Sequence, residues 1–352
     1  MRPLFRARFL LALGIVAALV NYSPVRAQGA DRVKFETADG VELHGKFYPG
    51  KGSKSPTVIL LHNIGSNTQE DGWDRLATKL QETCNCAVLS FDFRGHGDSQ
   101  AVQPSFWTKP HNAQVRGNAK KESISFKDYG RGYYPVLVND IAAAKVFLDR
   151  RNDEGQCNSR SIILIGAQDG AVLGTMWLAS ELHRYQIIAQ LPLLKLDDRP
   201  EGKSVVACVW LSMTGQSFWP NLTEWLQIEG KNFRVPMAFV YGAEDATSAT
   251  FAKKWAKELK SDSGPTKKFT GEEGIKKSKA QGNKLLFKEL DTVKFLTTYV
   301  KDVTEAITPP DYSKIEFEKK GYAWRANGRV ITAKLPDEKM LREIPAIIWS
   351  TR

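Results

Sequence analysis

Apolar and polar positions along this 352-residue chain alternate between two rhythms. Val33–Glu36 and Val41–Tyr48 read as strands flanking Asp39-Gly40, a dipeptide suited to a hairpin turn. Thr57–His62 is a continuous β-branched and aliphatic run, the pattern of a strand buried on both faces. Trp73–Gln81 repeats its apolar residues at helical spacing, and Ala87–Phe93 returns to strand. Val136–Arg150 is helical in pattern, Ser161–Ile165 a strand, and the Ala- and Leu-rich stretch from Gly170 to Leu182 a helix. Val205–Leu211 and Val235–Tyr241 are two more buried strands, with helices near Thr250–Leu259 and over Phe287–Val303. Strands alternating with helices predict an α/β fold with a mostly parallel central sheet covered by helices on both faces.

Two segments break the rhythm. Residues 100–134 form a long polar stretch rich in Lys, Arg, Tyr and Phe, longer than ordinary connections and of the kind used as lids. In it, Trp107, His111, Tyr133 and Tyr134 either line a ligand cleft or pack the loop down. Residues 306–352 begin near Pro309-Pro310, which ends the preceding helix. They predict a small C-terminal extension with a hairpin around Asn327-Gly328, its arms Tyr322–Arg325 and Val330–Ala333.

The first residues change the picture of where the chain works. Arg2, Arg6 and Arg8 precede an apolar run from Phe9 to Val20, and Val25 and Ala27 supply a small-residue cleavage pattern. This predicts a signal peptide over residues 1–27 and an exported, periplasmic or extracellular, protein. The run is too short to span a bilayer comfortably, and no later segment reaches that length, so no stable membrane insertion is expected after cleavage. The domain is then 28–305, followed by the extension. Losing the four arginines of the leader (Arg2, Arg6, Arg8 and Arg26) lowers the formal charge from +11 to +7, which is moderately basic, but the lysine pairs are scattered and no nucleic-acid motif accompanies them. Four cysteines, Cys84, Cys86, Cys157 and Cys208, stand in a chain expected in an oxidising compartment. The preferred pairing joins Cys84 or Cys86 to Cys157, since these precede two strands, with Cys208 a buried thiol. No metal set and no nucleotide fingerprint is present, so no cofactor is expected.

Four segments then carry a resemblance. Leu61-His62-Asn63-Ile64-Gly65 looks like a His-Gly-x-Gly turn, and Phe91 to Ser99 contains Asp-x-Arg-Gly-His-Gly-x-Ser. Gly166-Ala167-Gln168-Asp169-Gly170 stands where a Gly-x-Ser-x-Gly nucleophile elbow belongs, and Tyr241-Gly242-Ala243-Glu244-Asp245 where a triad acid belongs. In this order the chain resembles the α/β-hydrolase superfamily, of the serine hydrolase, esterase and aminopeptidase kind, over about residues 32–305.

The resemblance implies a Ser-acid-His triad, and two of its positions are altered. The elbow residue is Gln168, which has no ionisable nucleophilic oxygen or sulfur. The family's His-Gly-x-x-Leu-Leu stretch reads Gln281-Gly282-Asn283-Lys284-Leu285-Leu286, so Gln281 replaces the base. All five histidines, His44, His62, His96, His111 and His183, precede the acid Asp245. Glutamine does not accept a proton near neutral pH. The implied function is a catalytically inactive pseudoenzyme that binds a small molecule or an envelope protein, with Gln168 and Gln281 bonded to each other or to a ligand. The backbone N–H groups of Ile64 and Asp169 are the oxyanion-hole-like donors. His62, Asn63 and His96 are further pocket candidates: the histidines read as turn residues, and Asn63 as a glycine substitute that tolerates positive φ. The alternative is an active esterase- or peptidase-like hydrolase rebuilt around Asp169 or a loop serine such as Ser105 or Ser123. Against it, Asp169 is fourth in the elbow, where a helix-starting acid belongs.

Overall fold

The structure, a computed structural model, describes residues 29–69, 72–118, 120–190, 193–215, 221–307, 313–316, 320–326 and 329–332. The expected leader and the turn Asn327-Gly328 lie outside them.

The hairpin β1 (Asp31–Glu36) and β2 (Glu42–Tyr48) is antiparallel, and β2 continues antiparallel to β4 (Ala87–Phe91). Beyond it, β3 (Pro56–Leu61), β5 (Asn158–Ala167), β8 (Val205–Leu211), β9 (Met237–Gly242) and β10 (Gly271–Ile275) all run parallel. The eight-stranded order is β1-β2-β4-β3-β5-β8-β9-β10.

Side chains of the central strands alternate between two cores. Val58, Leu60, Ile163 and Ile165 face one layer, which contains α1 (Trp73–Cys84) and α8 (Leu290–Ala306). Ile59, Leu61, Ile162 and Leu164 face the other, which contains α2 (Val138–Asp153), α3 (Asp169–Glu181) and α5 (Ala246–Leu259). Apolar burial on both faces is why these strands read as unbroken hydrophobic runs. Three short helices, α4 (Leu222–Gln227), α6 (Gly264–Phe269) and α7 (Lys284–Lys288), complete the set; none was expected separately.

A second sheet was only half expected. The arms of the C-terminal hairpin form β11 (Tyr322–Ala326) and β12 (Arg329–Thr332). They extend a hairpin inserted between α3 and β8, made of β6 (Arg184–Ala189) and β7 (Lys195–Pro200), in the antiparallel order β12-β11-β6-β7.

The expected disulfide is absent, and all four thiols are free. Cys86 lies in the α1/α8 core and Cys157 in the α2/α3 core, so the sheet separates them. Cys157 Sγ turns instead to the Leu148 carbonyl at 3.6 Å, and Cys84 Sγ to that of Thr297 at 3.3 Å. Cys208 is fully buried, as expected.

The long loop is packed down rather than free-standing. Arg94, wholly buried, donates to Asp140 Oδ1 at 2.7 Å and Asp39 Oδ2 at 2.7 Å. Asn112 donates to the same Asp39 oxygen at 3.1 Å and accepts from the Tyr133 hydroxyl at 2.7 Å. Asp39 was read only as a turn former; it is also the anchor of residues 104–137. Tyr133 is wholly buried and the Trp107 indole donates to the Lys121 carbonyl, so the packing reading holds for both.

Candidate functional site

At the C-terminal end of β5 the chain turns from strand to helix in one residue. Gln168 takes φ 46°, ψ −112°, outside the regions open to L-residues, a conformation that costs about 1–3 kcal/mol. Its flanking glycines explain the turn. A Cβ on Gly166 would stand 2.7 Å from the Ala171 backbone, and one on Gly170 2.6 Å from the Leu61 carbonyl oxygen. Gln168 is thus the half-buried third residue of an elbow-shaped turn, held by its N–H to the Leu211 carbonyl at 2.9 Å. Asp169 is the first residue of α3, where the helix dipole favours an acid.

The turn after β3 is built by its histidines. His62 donates from Nδ1 to the Asn63 carbonyl at 2.8 Å and accepts the Phe93 N–H on Nε2 at 3.0 Å. His96 does the same between the Arg94 carbonyl at 2.9 Å and the Gly65 N–H at 3.0 Å. Burial lowers their pKa values to about 4 and about 3, so both are neutral with both nitrogens engaged. The rest of the Asp92–Ser99 motif is similarly spent on backbone: Asp92 accepts from Thr68 N–H at 2.7 Å, and Ser99 Oγ from His44 N–H at 2.8 Å. These residues fix the loops that frame the elbow.

Asn63 differs from expectation. It is not among the non-glycine residues with positive φ, so the turn does not need its conformational tolerance. Its side-chain oxygen instead accepts the Asp169 N–H at 3.3 Å, and its own N–H donates to Asn283 Oδ1 at 3.3 Å. Asn283 Nδ2 in turn donates to Ser66 Oγ at 2.6 Å. A carboxamide of the chain itself therefore meets one of the two donors expected to stay open, while no hydrogen bond is found for the Ile64 N–H among the described residues. Asn283 and Ser66 were missed; nothing in their sequence context marks them except proximity to Gln281 and to the turn.

The positions expected for the acid and the base lie on adjoining loops. Asp245 ends the loop after β9 and caps α5, accepting from Ser248 N–H at 3.4 Å. Its Oδ2 is buried and has no hydrogen-bond partner among the described residues. The loop bearing Gln281 packs against this strand end: Glu244 N–H donates to the Ser278 carbonyl at 2.9 Å. The expected Gln168–Gln281 hydrogen bond is not formed. Gly282, at φ 53°, puts its backbone against the elbow, where a Cβ would lie 2.5 Å from Gln168 Oε1, and Gln281 is left exposed. No group of three His, Cys, Asp or Glu side chains suited to a metal occurs among the described residues.

No family model and no curated protein matches the chain. Solved structures do. An α/β-hydrolase protein of unknown function from Agrobacterium tumefaciens is 16% identical over 80% of this chain and 100% of its own, with a TM-score of 0.50. A Pyrococcus furiosus esterase (17%, 78% and 92%, TM-score 0.46) and a dienelactone hydrolase from Anabaena variabilis (15%, 79% and 98%, TM-score 0.47) are also similar. At these identities the likeness concerns the backbone alone. Together with the sheet order and the elbow, it identifies the chain as having the α/β-hydrolase fold.

Proposed function

We propose that this chain is an exported α/β-hydrolase-fold protein without acyl-transfer activity, which uses the former catalytic edge of its sheet to bind a small polar molecule. The observation that carries this reading is Gln168. It occupies the strained elbow geometry that presents a nucleophile, yet offers only an amide. An amide does not form the acyl-enzyme, and Gln281 supplies no base beside it.

What remains at the edge is suited to hydrogen bonding. The Ile64 N–H is an open donor, and Asp245 Oδ2 an unsatisfied acceptor whose burial without a partner costs about 1–3 kcal/mol. A ligand with an acceptor gains from the first, while the second is closed to solvent and taxes the fold itself. Exposed Gln281 stands at the rim.

The test is ester hydrolysis by purified residues 28–352 across acyl-chain lengths, with a fluorophosphonate probe and an Asp169→Asn variant alongside. The expected result is no turnover above a heat-killed control and no labelling. Turnover abolished by Asp169→Asn would sink the reading in favour of a hydrolase rebuilt around that aspartate. Export is tested separately, by whether the N-terminus of the protein recovered from the producing cell is Gln28.

A further inference from the structure

A second, independent site lies at the other end of β5. Arg160 sits near the start of the strand and Gln168 follows its end, roughly 26 Å apart along an extended chain. There the second sheet and the C-terminal extension meet α2, and a cavity of about 80 Å³ opens between them. A water-sized probe needs about 10–15 Å³, so this space holds about five or more such atoms, the size of one phosphate group.

The lining is cationic. Lys145, Arg160, Arg199 and Lys320 face the cavity together with the Gln186 amide and the Ser204 hydroxyl. Two carboxylates, Asp197 and Glu201, also border it, so two positive charges remain uncompensated. Both acids have other engagements: Asp197 accepts from Arg199 N–H at 3.0 Å, and Glu201 lies 3.6 Å from Arg184. Lys145 is ion-paired with buried Asp149. Arg160 and Lys320 are only half-buried, and neither makes a side-chain hydrogen bond or ion pair among the described residues.

The extension completes this cavity. Asp153, at the end of α2, accepts from the N–H groups of Ile315 at 2.6 Å and Glu316 at 2.9 Å. Ile315 and Tyr322 pack with Val146 into a small apolar cluster, and β11 adds to β6. Lys320 is thereby brought to a wall whose other cations come from α2, β5 and β7.

We propose that this cavity binds a phosphate group, carried either by free phosphate or by a phosphomonoester. Cations arriving from four chain segments suit a tetrahedral anion better than a planar carboxylate, and an arginine fork gives charge-assisted hydrogen bonds to its oxygens. Bound phosphate would tie the extension to the domain.

The test is calorimetric titration of residues 28–352 with inorganic phosphate and with glycerol phosphate, against sodium chloride of matched ionic strength. Phosphate is expected to bind one per chain and to slow proteolysis of the extension, and Arg160→Gln with Lys320→Gln to weaken binding at least tenfold. Should that double variant fold poorly, Ser204→Ala is expected to weaken binding with the domain intact. Tighter binding of the ester identifies an esterified source, and equal or weaker binding the free anion. Heats no larger than those of chloride, or a titration unchanged in the variants, would overturn the proposal.

Discussion

The neutral pair His62 and His96 makes the stability of this fold depend on pH in a way that can be isolated. Their folded pKa values of about 4 and about 3 lie below the ordinary 6.5 because burial removes water from the imidazolium. Between those values and 6.5 the unfolded chain binds more protons than the folded one. The stability each contributes is therefore full above pH 6.5 and is lost as pH falls. From pH 7 to pH 5 the loss is about 2 kcal/mol per histidine, a large part of a typical 5–15 kcal/mol. Asp140, raised to about 6, and Glu229, raised by complete burial, act in the opposite direction, so the total slope mixes signs. A variant separates them. His96→Gln can keep an acceptor for Gly65 N–H and a donor for the Arg94 carbonyl while removing the titration. Urea unfolding followed by tryptophan fluorescence at both pH values is expected to show about 2 kcal/mol less acid destabilisation in the variant than in the wild type. Equal pH dependence in the two proteins would refute the assignment of His96 as a buried neutral imidazole.

Three further outcomes follow from the geometry. Gln168→Gly removes strain of about 1–3 kcal/mol and adds roughly 0.5–1 kcal/mol of chain entropy, so a net stabilisation of about 1 kcal/mol is expected in denaturant melts. Arg94→Met leaves Asp39 and Asp140 buried without their cation; a loss of about 3–5 kcal/mol is expected, with new proteolytic cleavage in residues 104–137. In guanidinium without reductant, Cys157 and Cys208 are each expected to alkylate completely, since neither is bridged; mass spectrometry of the peptides checks this.

The parallel core was legible because strands such as Thr57–Leu61 are apolar on both faces, because α1 and α8 are long enough to show their period, and because α3 is a long Ala- and Leu-rich stretch, buried all round. β6 and β7 were not, since RYQIIA is short and lacks strict alternation, KLDDRP is mostly polar, and the other partner of β6 is β11, far along the chain. β10, GEEGI, carries two glycines and two acids and is a strand only because it is the outermost parallel neighbour of β9. The elbow, acid and base positions were placed by the resemblance of their segments to the α/β-hydrolase pattern. What could not be read was which way the side chains of the base loop turn: Gly282 rather than Gln281 faces Gln168, and this depends on one positive φ. The Asn63–Asn283–Ser66 bonds join residues more than 200 positions apart, beyond any local pattern.

Under the proposed reading, the edge of the sheet carries two free-energy penalties that chemistry no longer explains: the strain at Gln168 and the unpartnered oxygen of Asp245. Together they amount to roughly 2–6 kcal/mol. The elbow strain is tolerable because the close approach of Gly166 and Gly170 to Ala171 and β3 fixes the backbone from both sides, whatever residue stands between them. The Asp245 penalty is different in kind, because it belongs to one side-chain oxygen that is closed to solvent and is not needed to hold the backbone. Asp245→Asn replaces that buried carboxylate by an uncharged amide in the same place, which is cheaper to desolvate. The variant is therefore expected to be more stable than the wild type in urea unfolding, and an unchanged or lower stability would refute the penalty.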